Sequence, residues 1–404
     1  MKRLSNGLCI WEQKDDDKIV DLYNRRVSLN AMADELGVRY AQLEHRLRRL
    51  RRKGLIKNRS IVSPAAEEQL EDRKTQAQTI VESITPLIKE LNYYDPKPIL
   101  SRPTMGPKDD RTVEEAVLVL SDIHFGKKTE SFNYSVLADR FTRLHYSMAR
   151  IIGLLRQGYK IDKLNVFLNG DIVDGDEIYP GHAHGIEMPV IDQIYQLGFP
   201  MLRDFLLLMT KLFKTVEVHC CYGNHGRVNK YASRKTNFDY VLYKTLESYF
   251  RDYPSIKFNV YEDWKAIVPI QGHNFLLTHG DAISGGSSGV PLTAMIGALM
   301  RWATTLDEKF EVLVTGHFHT PWRLSWTKNL TTIGNGTFVS GDDFAIRTLK
   351  VESGPAQQFF GVNKNRPITW QYTIELGNTE VPKSQIAKYR VLRGKPNMDI
   401  VPHE

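Results

Sequence analysis

Residues 116–126 read Ala116-Val117-Leu118-Val119-Leu120-Ser121-Asp122-Ile123-His124-Phe125-Gly126. Five consecutive apolar residues predict a strand buried on both faces. A carboxylate and an imidazole two positions apart follow at its end, and Gly126 turns the chain. The same grammar recurs four times downstream. Asn169-Gly170-Asp171-Ile172-Val173-Asp174 follows a strand over Lys163–Leu168, and Tyr222-Gly223-Asn224-His225-Gly226 follows one over Val216–Cys221. Leu277-Thr278-His279-Gly280-Asp281 closes a strand over Phe275–Thr278, and Thr315-Gly316-His317-Phe318-His319 closes one over Phe310–Val314. Helices are expected over Ser135–Gln157, Ile191–Phe213, Phe238–Phe250 and Leu292–Leu306. Strands then dominate, over Trp322–Trp326, Thr331–Ile333, Phe344–Val351 and Ile368–Ile374. Strands alternating with helices, with polar loops at the strand ends, predict an α/β sandwich with its site at those ends.

Five of the twelve histidines lie in these segments. Singly each segment reads as an ordinary turn; together they offer a set of oxygen and imidazole donors suited to divalent ions such as Mn²⁺, Zn²⁺ or Fe²⁺. Asp122 and His124 can both reach one ion. His317 and His319 share that spacing, so each can turn to a different one. Two ions about 3.5–4 Å apart need a shared carboxylate, and a water held between them can serve as nucleophile.

The ordered set D-x-H, G-D-x-x-D, G-N-H, a separate His and G-H-x-H resembles the calcineurin-like metallophosphoesterase superfamily over about residues 115–340. The resemblance implies an α/β fold, a four-layer metallophosphoesterase β-sandwich flanked by helices. It implies one ion on Asp122, His124, Asp171 and His319, and a second on Asp171, Asn224, His279 and His317, with Asp171 bridging. It implies that His225 contacts the phosphate and assists the leaving group, with Asp174 as a supporting acid. Manganese is the expected metal; zinc, iron, magnesium and nickel suit the same donors. One position departs from the pattern. Gly226 stands where the family carries Asp or Glu to orient the histidine, so another acid must do that, or His225 is less well poised.

The second motif continues Gly175-Asp176, without the arginine that protein Ser/Thr phosphatases carry, and Glu is absent from the third. Asp122-Ile123-His124-Phe125-Gly126 is the D-x-H-x-G form common in a branch resembling bacterial and eukaryotic repair exonucleases. The expected activity is therefore phosphodiester hydrolysis on DNA. A phosphomonoesterase or nucleotide phosphodiesterase is the alternative enzyme, and a DNA-binding regulator with an inactive metallo-domain the alternative of another class. Arg227, Lys230, His182 and His184 are candidate substrate contacts; His182 and His184 also fit a plain loop. Residues 284–289 (Ser-Gly-Gly-Ser-Ser-Gly) read as a flexible connector that could act as a lid. Trp322 and Trp326 read as core, and Cys220 and Cys221 as buried strand residues.

The sequence upstream supplies the substrate argument. Ile19, Val20, Leu22 and Tyr23 give a first helix one apolar face. Ser28 is a suitable N-cap for a second, Leu29–Leu36, and Gly37 turns the chain into a third, Tyr40–Arg52, with Leu43, Leu47 and Leu50 as its stripe. This resembles the helix-turn-helix modules of phage and bacterial DNA-binding proteins. From Arg39 to Arg59 there are nine basic residues and one acid, Glu44, while the rest of the chain carries 45 basic against 46 acidic. Phosphate contact needs such clustering, which makes Arg39, Arg46, Arg48, Arg49, Arg52 and Lys53 the expected nucleic-acid contacts and DNA the expected partner. A small helical domain with a solvated basic face is the plainer reading.

The expected organisation is a helix-turn-helix domain at 1–59, a helical and proline-rich linker at 60–112, a catalytic domain at 113–380 and a tail at 381–404. The chain of 404 residues has net charge +7, a balance that favours polyanions without choosing one. Three cysteines, Cys9, Cys220 and Cys221, are too few for a disulfide framework. No signal-like segment or membrane-length apolar run is present, so a cytoplasmic location is expected. Oligomeric state is not legible.

Overall fold

A computed structural model describes residues 2–3, 9–25, 27–56, 111–178, 182–229, 236–283, 290–341, 354–377, 379–383, 389–393 and 395–400. Residues 57–110, which hold nearly all of the expected linker, Lys230, the 284–289 loop and the strand expected at 344–351 lie outside the described residues. The chain divides into two units, Met1–Gln69 and Leu70–Glu404.

In the first unit β1 (Lys2–Arg3) pairs with β2 (Cys9–Ile10), followed by α1 (Gln13–Asn24), α2 (Leu29–Glu35) and α3 (Tyr40–Arg52). Ser28 caps α2, its hydroxyl accepting from Ala31 N at 3.2 Å. Gly37 takes φ 61° between α2 and α3, where any side chain would be strained. Ile19, Leu22 and Tyr23 of α1 meet Met32 and Ala33 of α2 and Leu43, Leu47 and Leu50 of α3 in one small core. Arg46 corrects the list of expected nucleic-acid contacts. It is buried, and its guanidinium grips Asp16 with Nε–Oδ1 and Nη2–Oδ2 both at 2.6 Å. It holds α3 to α1 and is turned away from solvent. Arg39, Arg48, Arg49, Arg52 and Lys53 are exposed.

The second unit runs β3 (Thr112–Leu120), α4 (Tyr134–Leu155), β4 (Tyr159–Asn169), a π turn (Gln193–Gly198) leading into α5 (Phe199–Leu212), β5 (Thr215–Cys221) and α6 (Phe238–Phe250). It continues β6 (Ile256–Val260), β7 (Lys265–Ile270), β8 (His273–Thr278), α7 (Leu292–Thr305), β9 (Val312–Thr315), β10 (Trp322–Thr327), β11 (Leu330–Gly334), β12 (Ala356–Val362) and β13 (Gln371–Glu375). The region read as a tail also pairs: β14 (Tyr389–Arg393) is antiparallel to β15 (Lys395–Ile400), and β14 packs on α5.

A six-stranded sheet has the order β13-β12-β3-β4-β5-β6 with β3 to β6 parallel; a five-stranded sheet has the order β10-β11-β9-β8-β7. The central strands are covered on both faces, which is why β3, β8 and β9 carry apolar runs. On β3, Ala116, Leu118 and Leu120 face the helices α4 to α6, while Val117 and Val119 face the other sheet. On β8 and β9, Phe275, Leu277, Val312 and Val314 join that intersheet core, and Leu276 and Leu313 pack under α7. The result is the four-layer α/β metallophosphoesterase sandwich expected from the sequence. Cys220 and Cys221 are buried on β5. Trp326 departs from the core reading: it is exposed on the edge strand β10. The single helix expected over Ile191–Phe213 is broken by the π turn, a device common near functional sites.

Candidate metal centre

Each of the seven expected donors sits in a loop just past a strand: Asp122 and His124 after β3, Asp171 after β4, Asn224 after β5, His279 after β8, His317 and His319 after β9. Five of them have left-handed backbone conformations, with φ 53° at Asp122, 51° at His124, 51° at Asp171, 67° at His317 and 55° at His319. Among the described residues only Gln271 is another non-glycine with positive φ. Such conformations persist where the surroundings over-determine them, and they gather at functional sites. Here the surroundings are on view. Asp122 N donates to Gly170 O and His124 N to Asp171 O, both at 3.1 Å, and Phe125 N donates to Ile172 O at 2.8 Å. The Asp122 carbonyl accepts from Phe338 N at 3.0 Å and from Thr337 Oγ1 at 2.9 Å. The first two motif loops are thus laced together, with a third segment pinning Asp122 from below.

The side chains converge in two groups, Asp122 with His124 and His319, and Asp171 with His279 and His317, each with one donor atom per residue within 4.8 Å of the others. His319 Nε2 lies 3.3 Å from Asp122 Oδ1 and 3.3 Å from His124 Nε2. His279 Nε2 lies 2.9 Å from Asp171 Oδ2, while its Nδ1 is fixed by the Asn169 carbonyl at 2.9 Å. A divalent ion fits both groups. The donors are carboxylate and amide oxygens and imidazole nitrogens, and one of them, Asn224 Oδ1, is buried without a hydrogen bond.

Asp174 answers the question raised by Gly226. Its Oδ1 receives His225 Nδ1 at 2.5 Å, His182 Nε2 at 2.8 Å and His124 Nδ1 at 3.4 Å. The acid that orients His225 is therefore Asp174, and Gly226 has a different reason. A Cβ there would stand 2.2 Å from Asn237 Oδ1. Asn237 caps α6, accepting from Asp239 N at 2.8 Å, and donates its Nδ2 to Gly223 O at 2.8 Å. No acid fits at 226 while α6 starts there.

Three supports were not legible in the motifs. Asp239, fully buried, accepts Asp171 N, Ile172 N, Val173 N and Gly223 N, each at 3.0 Å, and so ties the second motif to the third. Gln193, in the π turn, accepts Asp174 N at 2.8 Å and donates to Asp174 O at 2.7 Å. Asn335 Nδ2 donates to Ser121 Oγ at 2.9 Å and Gln357 Oε1 at 2.8 Å, and the Ser121 hydroxyl reaches Asp122 Oδ2.

The field of the site is strongly divided. Burial alone would raise Asp174 and Asp171, but the surrounding histidines hold both well below the usual carboxylate range. Burial also works to lower His225, yet Asp171 and Asp174 together raise it. Against the same penalty Asp171 lifts His279 to about 10, whereas burial and the neighbouring His279 push His317 down to about 4. Asp239, desolvated and close to Asp171, rises to about 6 despite its backbone donors.

Of the outlying candidates, Arg227 is ion-paired to Asp281. His184 is exposed on the short 3₁₀ turn His182–Gly185. Its neighbour His182, which the sequence leaves between a substrate contact and a plain loop, is the one that reaches Asp174.

The calcineurin-like phosphoesterase profile matches residues 116–328, just over half of the chain. No curated protein matches. Among solved structures, Vps29 of Entamoeba histolytica complexed with zinc is 11% identical at TM-score 0.32, covering 71% of this chain and 99% of its own. A predicted phosphoesterase of Streptococcus pneumoniae TIGR4 is 12% identical at TM-score 0.27, covering 64% and 98%. A hypothetical protein of Pyrococcus horikoshii OT3 is 16% identical at TM-score 0.33, covering 65% and 88%. A profile spanning all five motifs up to residue 328, on the fold those motifs require, makes the chain a member of the calcineurin-like phosphoesterase family.

Proposed function

We propose that the chain is a dinuclear-metal phosphodiesterase that cleaves DNA, brought to it by the N-terminal helices. The observation that carries the catalytic half is the pair of donor groups assembled from separate loops on left-handed backbone. In this reading Asp122, His124, Asp171 and His319 hold one ion, and Asp171, Asn224, His279 and His317 the other. Bound there, the ions supply Lewis-acid polarisation of a phosphoryl oxygen and a lowered pKa for water. The chain's own residues do the rest. Asp174 accepts a hydrogen bond from the Nδ1–H of His225, which fixes the ring and favours its charged form, and Nε2 then gives its proton to the leaving oxygen. Asp239, Gln193 and Asn335 keep the loops from relaxing out of this arrangement, so the donors need little reorganisation. Lys127 Nζ, 3.7 Å from Asp174 Oδ2, adds positive charge on the same side.

Two features favour DNA. The second motif lacks the arginine of protein phosphatases. On α3, His45, Arg48, Arg49 and Arg52 stand at i, i+3, i+4 and i+7 and are exposed, which makes one basic face of a helix that follows a glycine turn. Manganese is the proposed metal. The test is hydrolysis, with added Mn²⁺, of bis-p-nitrophenyl phosphate against p-nitrophenyl phosphate, then of single- and double-stranded DNA. Cleavage of the diester and of DNA is expected; cleavage of the monoester alone would overturn the nuclease reading.

A further inference from the structure

A cleft of about 310 Å³ opens on the five-stranded-sheet side of the second unit, lined by Trp264, Ala282, Ala298, Arg301 and Trp302. Trp264 precedes β7 and Trp302 lies on α7; their rings stand 5.3 Å apart at 44°, a continuous, half-exposed aromatic wall. Two tryptophans left open to solvent together are costly unless something covers them. Arg301 is exposed beside them, and no ion pair engages its guanidinium among the described residues. Gly297, one turn back, leaves room for it: a Cβ there would meet Arg301 Nη1 at 3.5 Å, so the guanidinium lies folded along the helix at the mouth of the cleft. Lys265 Nζ lies 5.8 Å from the Trp264 ring and is paired with the Asp263 carboxylate at 3.6 Å, so Arg301 is the cation the cleft itself offers. The floor residue Ala282 is three positions past His279, so their Cα atoms are within about 11 Å.

We infer that this cleft is a nucleobase subsite: one unpaired base of a single-stranded DNA stacks on Trp264 and Trp302, and Arg301 meets the adjoining phosphate. The inference rests on the nuclease reading above for its substrate. The chemistry favours a base over other planar groups because the lining joins two aromatic rings to the Arg301 guanidinium and includes no carboxylate, as a polyanion that also presents π-faces requires. A duplex offers no exposed base face, so the subsite selects single strands, frayed ends or flipped nucleotides. It also lies within a nucleotide or two of the metal centre.

The experiment uses the full chain with Mn²⁺ and compares W264A, W302A and the conservative W302F. The probes are a single-stranded oligonucleotide, the same strand with abasic residues throughout, and bis-p-nitrophenyl phosphate. Unchanged hydrolysis of the small diester certifies the fold. In W264A and W302A, kcat/KM on the base-bearing strand should fall by about five- to hundredfold, the range of one lost stacking partner, through KM. The abasic strand should be unaffected, and W302F should retain most of the activity. Phosphate contacts elsewhere in the chain act equally on both strands, so their ratio isolates the cleft. An equal loss on both strands, or none, overturns the subsite. Binding of the labelled strands by anisotropy keeps the two readings separate. If no strand is cleaved but the base-bearing one still binds more tightly, and that preference vanishes in W302A, the subsite stands and the nuclease reading falls. If the preference is absent in the parent, the subsite falls whatever is cleaved.

Discussion

Replacing Gly226 by alanine should unseat the third motif chiefly through Asn237. The new Cβ would stand 2.2 Å from Asn237 Oδ1 and 2.9 Å from Asp239 N. Asn237 has to swing aside, losing its cap on Asp239 N and its bond to Gly223 O, both 2.8 Å. Loss of the cap costs about 1 kcal/mol, and stranding the buried Gly223 carbonyl costs about 1–3 kcal/mol more. A destabilisation of about 2–4 kcal/mol is expected in urea unfolding at pH 7, with a parallel fall in diester hydrolysis as the Asp239 cradle loosens. Asp at 226 should fare no better, because Asp174 already occupies Nδ1 of His225. The control is a double-mutant cycle. Asn237→Ala alone should cost about as much, and Gly226→Ala added to it should cost clearly less than in the parent, because Asn237 Oδ1 is gone and only the 2.9 Å approach to Asp239 N remains. If the two substitutions add in full, the clash does not run through Asn237 and the explanation for this glycine is wrong.

Four other outcomes follow from the geometry. Asp239→Asn turns an amide N–H₂ toward backbone donors and should cost about 2–4 kcal/mol of stability along with activity, read by urea unfolding and kcat; an active variant of parental stability would remove Asp239 from the support of the site. His317→Ala should abolish diester hydrolysis and lower the metal content per chain, measured by elemental analysis, without changing the far-ultraviolet circular dichroism. Neither ring nitrogen of fully buried His145 has a hydrogen bond, and burial pushes it down to about 4, so the folded state stays neutral while the unfolded chain takes up a proton. The stability tied to that neutral ring is present above about pH 6.5 and is lost as pH falls toward 4; His145→Leu should therefore lose roughly 2 kcal/mol less than the parent between pH 7 and 5, and equal losses would refute it. Arg46→Ala should destabilise the first unit by about 3–5 kcal/mol by stranding buried Asp16, whereas Arg49→Ala should keep its stability and lower the salt slope of DNA binding by about 1.

The metal-binding loops were legible because chemistry restricts them. Only a few side chains can serve a divalent ion, and each had to stand just past an apolar run, so the strand pattern and the donor pattern reinforced one another. The sandwich was legible for a related reason: where strands are covered on both faces, their inner stretches, such as Ala116–Leu120, are apolar. Where that coupling fails, so does the reading. On β12, Gln357 and Gln358 interrupt the apolar pattern, and the strand was missed, yet both are buried. Gln357 is there to accept Ser121 N at 3.1 Å and Asn335 Nδ2, a requirement set by residues far away in the chain.

Asp239 marks the same limit more sharply. In the sequence it is an acid in the first turn of a helix, where acids are common because the helix dipole favours them. Nothing local says that its carboxylate faces four amides from two other loops. A lone sequence can reveal which residues a reaction needs, because that demand falls on side-chain type at fixed spacing; it hides which residues hold them, because that demand falls on whichever polar group the fold carries past. Arg46 is the instructive intermediate. It was grouped with the exposed arginines by charge, yet it belongs to the row 43, 46, 47 and 50, the stripe that Leu43, Leu47 and Leu50 define, and Asp16 on α1 is its counterpart. Helical phase separates it from Arg48, Arg49 and Arg52 without any structure, so charge counted along a helix points to a nucleic-acid face only after residues in phase with the core have been removed from the count.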